Sequence, residues 1–492
     1  MKRLNTLLCA LVVSMAMAAQ TMNVEMGQVT HAYKAADTGR MTYSDGQSFS
    51  VNGLKYAVAD VTAISVDNSS VDEATVKVNY DGNTATVRVS GDVAPFITAS
   101  VKGAHVVVLA SNDLTQEVTY TLSGASEDGS FYMDGELKAT FELNGLSLTN
   151  PDSAAINIQC GKRLKFKLAD GTTNYLADGL RTENDGSDAH KAAVYFQGHS
   201  EWSGGGTITI QGNVKHAVSG HEYVEFGKKL GTVIINTAKG DGIHANEYFE
   251  MKGGKVTINS SGDGIDLALD PESTEEQNGQ IIISGGTLEI ASTGDASKGM
   301  KCDGNMLISG GTINVSTTGA AVFEEDENDL SSSACAKPDG TFTMTGGTVT
   351  LTSTGDGGKG LNADGTVTVS GGELTIVTTG DVYEYGELDS KPHAVKSDGN
   401  IILEGGTVLS CASAESGNAF KTDAYVLTNG ATLMGIGNKK TTPDATSTCA
   451  FKNYSNIKVV GGEAVSYDGV SFTIPSIYSN SSAKILVSSP TM

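Results

Sequence analysis

Short runs of alternating apolar and polar residues recur along this chain, each opened by a glycine and closed by a Gly/Asp corner. The opening glycines fall at Gly206, Gly231, Gly254, Gly286, Gly311, Gly347, Gly372, Gly406, Gly430 and Gly462. Their spacings of 25, 23, 32, 25, 36, 25, 34, 24 and 32 residues define a basal unit of about 25, with insertions of roughly 7 to 11 in some units. The unit is clearest in GTLEIASTGDASKGMKCDGNMLISGG (286–311) and GTVTLTSTGDGGKGLNADGTVTVSGG (347–372). In the second copy, period-2 alternation puts Val349, Leu351, Leu361, Ala363, Val367 and Val369 on one face. Segments this short cannot hold an antiparallel sheet alone. Stacked on the next unit at about 4.8 Å they form long parallel ladders. The corners use Gly and Asp because tight turns need positive φ or side chains that bond their own backbone.

The pattern predicts an all-β chain, a right-handed parallel β-helix solenoid with a small N-terminal β region. A propeller blade would need about 40 residues and four longer strands. The handedness follows from the general chirality of parallel crossovers. Residues 127–492 form the β-helix, beginning with less regular units around Ala155-Ile156-Asn157-Ile158 and Val194-Tyr195-Phe196. Residues 24–126 form the N-terminal region, which would cap one open end and contains a hairpin, TVKVNYDGNTATVRV, turning at Asp81-Gly82. The tail from Ser471 would cap the other end. Residues 1–19 read as a signal peptide: Lys2 and Arg3, an apolar run from Leu7 to Val13, then Ala16, Ala18 and Ala19. The mature protein is therefore expected outside the cytoplasm, in the periplasm, at the surface or secreted. No later segment is apolar and long enough to span a bilayer.

Composition agrees with a thin aliphatic core: Gly is frequent (60), Pro scarce (8) and aromatic content low at 6%. Loss of Lys2 and Arg3 takes the formal net charge from −24 to −26. Such a chain repels nucleic acid and anionic membranes, and it can hold a polyanion only through bridging metal or a local basic stripe. The cysteines after the signal (Cys160, Cys302, Cys335, Cys411 and Cys449) show no CxxC, so neither a zinc cluster nor a dense disulfide framework is indicated.

The units SGGTLEIASTGDASKGMKCDG and SGGELTIVTTGD…HAVKSDGNIILEGG, with AAINIQCGKRLKF upstream and ILVSSP at the end, resemble the secreted bacterial β-helix carbohydrate-binding proteins. The resemblance covers roughly residues 115–492. It implies a pectate-lyase-like fold, calcium, and binding to cellulose or acidic plant polysaccharide, and it assigns no ligand site to a residue here.

Several residue sets carry candidate chemistry. Asp303, Asp364, Asp398 and Asp423 occupy equivalent corners. They read either as turn residues accepting backbone N–H groups or as a metal-binding row, since stacked carboxylates repel unless bonded or bridged. Asp241, Asp263, Asp295 and Asp356 form a second corner set. Its densest stretch, Asp263 to Asp270, offers Asp263, Asp266 and Asp270 as the first choice for calcium, which wants six to eight oxygens. The alternative there is a solvated acidic edge. Insertions at about 270–278, 323–334, 382–392 and 438–449 are expected near one corner, and Tyr383 and Tyr385 could stack on a sugar. Lys301, Lys396 and Lys421 fall in one outward column with His244, Asp266 and Asn362, with Lys298 and Lys359 just before it. This row either pairs uronate carboxylates or balances the Asp corners. Cys302 and Cys335 are expected at equivalent inward points of neighbouring coils, as core thiols or a disulfide. Trp202 is the only Trp, a poor supply for a flat cellulose platform.

Catalysis has less support. Uronate β-elimination needs calcium and an Arg or Lys base, and none of Arg40, Arg88, Arg163 and Arg181 lies in the regular coils. The reading is an exported, non-catalytic, calcium-assisted polysaccharide-binding protein for acidic or plant cell-wall glycans, polyuronate among them. A polysaccharide lyase on the same scaffold and a surface adhesin are the alternatives.

Overall fold

The structure is a computed structural model. It describes residues 21–39, 41–44, 46–181, 191–412, 414, 417–422, 424–428 and 431–437, with five short strands beyond, at 450–452, 457–460, 464–467, 470–473 and 484–488. The signal segment 1–19, the insertion 438–449, Asp423 and Cys449 lie outside the described residues.

The fold is all-β. Among the described residues the sole helix is a three-residue 3-10 turn, Ala35–Asp37. Two large sheets, of 28 and 13 strands, hold most of the chain, and their pairings are overwhelmingly parallel beyond residue 104. Each repeat unit sends one strand into each of three ladders. In one unit these are Thr287–Ser292, Lys298–Cys302 and Met306–Ile308. The next unit lays Thr312–Thr317, Ala334–Pro338 and Phe342–Met344 on them in parallel. The first and third of these strands belong to the 28-stranded sheet and the middle one to the 13-stranded sheet.

Alternation sets what faces inward. In Thr348–Ser353, Val349 and Leu351 are buried while Thr348, Thr350 and Thr352 face out. Leu361, Ala363, Val367 and Val369 are buried as the pattern predicts. Burial of such a column, at roughly 25 cal/mol per Å² of apolar surface, is the main favourable term available to three-residue strands. A smaller cluster of Met22, Val24, Tyr33, Phe49, Val51, Tyr56 and Ile64 lies in the N-terminal region. Among the described residues the main core is one continuous cluster from Val29 to Leu433, lined with aromatics in the early units and mostly aliphatics later. Trp202 sits wholly inside it, 4.4 Å from Phe166 and 5.4 Å from Phe226 between ring centroids, so it offers no surface platform.

The N-terminal hairpin forms, Thr75–Asp81 against Thr84–Ser90. Asp81 pairs with Thr84, so the turn residues are Gly82 and Asn83, one position later than expected; Gly82 takes the positive φ of +60°. Its first strand pairs in parallel with Val118–Ser126, and Val76, Val78 and Tyr80 belong to the common core. At the other end Lys484–Ser488 runs antiparallel to Thr432–Gly437.

Two expectations need correction. Cys302 pairs across from Pro338, whereas Cys335 lies opposite Gly299, so the two thiols are not at equivalent points. Both are free and buried, and burial pushes each to a pKa of about 12. The insertions also do not share one corner. Residues 270–278 follow the strand Ile265–Ala268, while 323–334 and 382–392 precede Ala334–Pro338 and Val395–Ser397. The repeat length registers an insertion but not the side of the strand on which it falls.

A glycine begins several 13-stranded-sheet strands because units approach too closely there for a side chain. A Cβ at Gly299 would drive into Val315 Cγ1 and the carbonyl of Cys335; Gly242, Gly264 and Gly360 meet the same kind of obstruction from Ile258, Ile290 and Ile376. Gly299→Ala should therefore lower unfolding free energy in urea by about 1–3 kcal/mol. Gly161→Ala, where a Cβ meets nothing within 4 Å, should stay within about 0.5 kcal/mol of the parent.

Candidate functional site

The 13-stranded sheet concentrates the ionisable side chains. Its register aligns Ser219, His244, Asp266, Lys301, Lys337, Asn362, Lys396 and Lys421 in one outward column. Three residues earlier on the same strands, where the chain enters the sheet, a second column reads His216, Asp241, Asp263, Lys298, Ala334, Lys359, His393 and Asn418. Charge is segregated along both. All the column aspartates, with His216 and His244, lie in the N-terminal units; from 298 onward the ionisable column residues are lysines and His393.

At the acidic end His216 Nδ1 lies 3.0 Å from Asp241 Oδ2, and His244 Nδ1 lies 3.5 Å from that same oxygen and 3.0 Å from Asp266 Oδ2. The two imidazoles stack at 4.6 Å, 14° from coplanar. Hydrogen bonds donated by His244 to the Asp241 and Asp266 carboxylates outweigh burial and raise its pKa to about 9. Burial dominates at His216 and lowers it. For Asp241 burial opposes the charge, yet the contacts with His216 and His244 hold the carboxyl well below its usual range. Asp263 is pushed up to about 6, first by burial and then by Asp241 and Asp266, although Oδ1 accepts the Lys298 N–H at 2.6 Å.

At the basic end each column lysine with a described contact is paired. Lys301 Nζ donates to Asp266 Oδ1 at 2.9 Å, Lys337 to Asp339 and to Asp364 Oδ1 at 2.8 Å, and Lys396 lies 3.2 Å from Asp398 Oδ1. The Asp303 corner row is thus a partner row, and Asp303 Oδ2 itself accepts the Leu269 N–H at 2.9 Å. Lys337 and Asp339 escaped the sequence reading. Lys-x-Asp repeats at 301–303, 337–339, 396–398 and 421–423, but Pro338 disguises the second copy. His216 escaped because it replaces the corner Asp of its unit.

The four GDG aspartates split into two sets. Asp241 and Asp263 stack, with Asp241 Oδ1 accepting the Asp263 N–H. Asp295 and Asp356 lie in a bend farther upstream, accepting the N–H of Ala320 and Asp381. Extra residues before Lys298 and Lys359 displace them.

Lys298 and Lys359 are anchors beneath two hairpins. Lys298 Nζ donates to Ser331 Oγ at 3.1 Å; Lys359 Nζ donates to Ser332 Oγ at 2.6 Å and Ser390 Oγ at 2.9 Å. The hairpins are Val322–Glu324 with Asp329–Ser331, and Tyr383–Tyr385 with Leu388–Ser390. Tyr385 remains half exposed and stacks on Phe323 at 4.3 Å, so one ring face is already used; Tyr383 is half-buried. Phe323 was not anticipated.

The candidate calcium set does not assemble. Asp266 is engaged by His244 and Lys301, Asp364 by Lys337, and Asp270 Oδ1 accepts the Glu272 N–H. Among the described residues the only group of three or more His, Cys, Asp or Glu with metal-ligand spacing is His216, Asp241 and His244. Among the described residues Asp263, Asp266, Asp270, Asp303 and Asp364 do not come together as a group of three or more carboxylates at metal-ligand spacing.

The outward face of the 13-stranded sheet thus carries a continuous polar row of histidine, carboxylates and lysines on an all-β, parallel-stacked scaffold. Residues 105–382, more than half of the chain, match the carbohydrate-binding domain-containing protein family, and the chain belongs to that family. A carbohydrate-binding domain-containing protein of Acetivibrio thermocellus is 26% identical over 204 residues, covering 37% of this chain and 63% of that protein. The chain thus spans less than two thirds of that relative's length. Among solved structures, the polysaccharide lyase-like protein from C. thermocellum, as its gadolinium derivative, is 22% identical with a TM-score of 0.44, covering 55% of this chain and 96% of that one. Among the described residues no helix is long and apolar enough to cross a membrane.

Burial, with Lys396 and Lys298 nearby, lowers the Lys359 pKa from 10.5 to about 7. The unfolded chain therefore binds one more proton than the folded chain between pH 7 and 10.5, and this group's contribution to stability rises with pH across that window. From pH 7 to 8.5, the stability difference between the parent and Lys359→Met should move in the parent's favour by up to about 2 kcal/mol. A pH-independent difference in urea midpoints would contradict this.

Proposed function

We propose that this is an exported, non-catalytic polysaccharide-binding protein whose ligand is an acidic or plant cell-wall glycan, held with the help of calcium. In this reading residues 1–19 are a cleaved signal, 24–126 a β region at one end, and 127–492 a right-handed parallel β-helix. The observation that carries it is the outward column. Lys301 and Lys337 lie within the family-matched stretch 105–382, and Lys396 and Lys421 continue the row. Neighbouring positions sit about 4.8 Å apart, close to the length of one pyranose residue in an extended chain.

Lys301, Lys337 and Lys396 keep side chains 18–34% exposed. The pairs of Lys337 and Lys396 with exposed aspartates are individually weak, worth about 0–1 kcal/mol, and a uronate can replace Asp339, Asp364 or Asp398 as partner. Calcium enters this reading as a bridge between polymer carboxylates and the exposed acids of the insertions, such as Glu324, Glu325 and Glu387, because the net charge otherwise opposes a polyanion. Tyr385 supplies an edge for a sugar ring.

Co-sedimentation of the mature protein with polygalacturonate tests the proposal, with ultraviolet absorbance recorded for unsaturated products. Expected are pelleting with calcium, release by EDTA, restoration by calcium but not by zinc, and flat absorbance. Lys301→Ala with Lys396→Ala should weaken pelleting several-fold. Rising absorbance would transfer the protein to the lyases, and no pelleting with any member of a glycan panel would leave adhesion to another macromolecule.

A further inference from the structure

We infer that His216, Asp241 and His244 form a binding site for a borderline divalent transition ion, zinc(II). The site adjoins the proposed glycan row, sharing its column at His244 but none of its lysines, and does not depend on that reading. Three observations converge on it.

The first is spacing. Asp241 Oδ2 stands between the two Nδ1 atoms at 3.0 and 3.5 Å, and ligand atoms from the three residues all lie within 4.8 Å of one another. Two ligand atoms on one tetrahedral zinc, each about 2.0–2.1 Å from it, are about 3.3 Å apart. The set therefore needs only small side-chain adjustment to close around an ion. The second is an unresolved hydrogen-bond demand. The Asp241 backbone N–H donates to His216 Nδ1 at 3.2 Å, so that nitrogen presents a lone pair. Yet the same nitrogen faces the Asp241 carboxylate at 3.0 Å. One atom cannot both accept that N–H and donate to that oxygen. A cation between nitrogen and oxygen would take that single lone pair and relieve the nitrogen–oxygen repulsion, with the Asp241 N–H giving up its contact to Nδ1.

The third is access and charge. A depression of about 250 Å³ opens over His216 and His244, with Tyr195, Ser219 and Asn246 among its walls. It gives an ion a path and leaves a coordination position for water. Asp263 and Asp266 add negative charge beside Asp241, while Lys191 and Lys215 on the outer wall oppose it. The donor set, two imidazoles and one carboxylate, suits zinc, nickel or copper and suits calcium poorly.

The sheet explains why the ligands meet. Parallel register puts His216 beside Asp241 across one strand spacing, and His244 follows Asp241 by three residues on the same strand. His216 and His244 therefore approach one carboxylate from neighbouring units, with their rings stacked.

Isothermal titration of EDTA-treated, dialysed protein with zinc chloride, in the absence of any glycan, tests the inference. One zinc per chain is expected at this site, with calcium producing no competing heat. Cobalt(II) loading should give the visible absorption of a low-coordinate nitrogen and oxygen site. His244→Gln, at a partly exposed position, should weaken zinc binding by at least about tenfold, because even outer-sphere changes commonly cost 10–100-fold. His216→Ala should do the same where it folds, as judged by circular dichroism. His221→Ala, on the rim of the depression, should leave affinity unchanged. Absence of zinc binding, or wild-type affinity in His244→Gln, overturns the site. Neither result bears on pelleting with polygalacturonate.

Discussion

Segments of three to six residues hold a strand conformation here only because each exchanges backbone hydrogen bonds with the unit before it and the unit after it. Lys298–Cys302, for example, is fixed on one edge by Ile265–Ala268 and on the other by Ala334–Pro338. Alone, each segment would lose more conformational entropy than three inward side chains could return. Stability is thus cooperative along the stack, and in-register parallel pairing is the condition for all other features.

That pairing has a geometric consequence. Parallel register places like positions of successive units side by side, so a side chain is never presented once but always as part of a column. Inward columns become the continuous core. Where the columns pinch, at Gly242, Gly264, Gly299 and Gly360, only glycine fits. Outward columns force ionisable groups together, and a column of one charge would be repulsive at one strand spacing. The chain relieves this in two ways. Lysines take partners from the adjoining aspartate row, as Lys337 does with Asp339 and Asp364. Histidines interleave with aspartates where the lysines stop, as His244 does with Asp241 and Asp266.

The period of the sequence made the strands, their inward faces and the outward column readable before any coordinates, because alternation and repeat length are local properties. Lys301, Lys396 and Lys421 share a column for that reason. What escaped depends on register across an insertion. Asp295 resembles Asp263 in its GDG-like setting, yet three added residues put Lys298 at the position Asp263 holds. Cys335 and Cys302 mislead in the same way, since Cys335 is the second residue of its strand and Cys302 the fifth, three register positions apart. His216 carries no motif at all. Its importance appears only when the neighbouring unit sets Asp241 against it. The aromatic contact of Phe323 with Tyr385 likewise joins two insertions far apart in sequence.

The charge order along the 13-stranded sheet separates two kinds of chemistry on one scaffold. Lys337 and Lys396 present cations whose aspartate partners are exposed, so each pair is individually weak and exchangeable. The histidine-bearing units present buried or half-buried donors of fixed geometry, where desolvation is partly spent already and one ion can be held by few ligands. A polymer threading the lysine row and an ion seated at His216 and His244 would not compete for the same groups, save through Asp266. That residue accepts from Lys301 on one oxygen and contacts His244 on the other. Coupling between the two territories can pass through the Asp266 carboxylate, and through Asp263, whose N–H donates to Asp241 and whose Oδ1 accepts the Lys298 N–H.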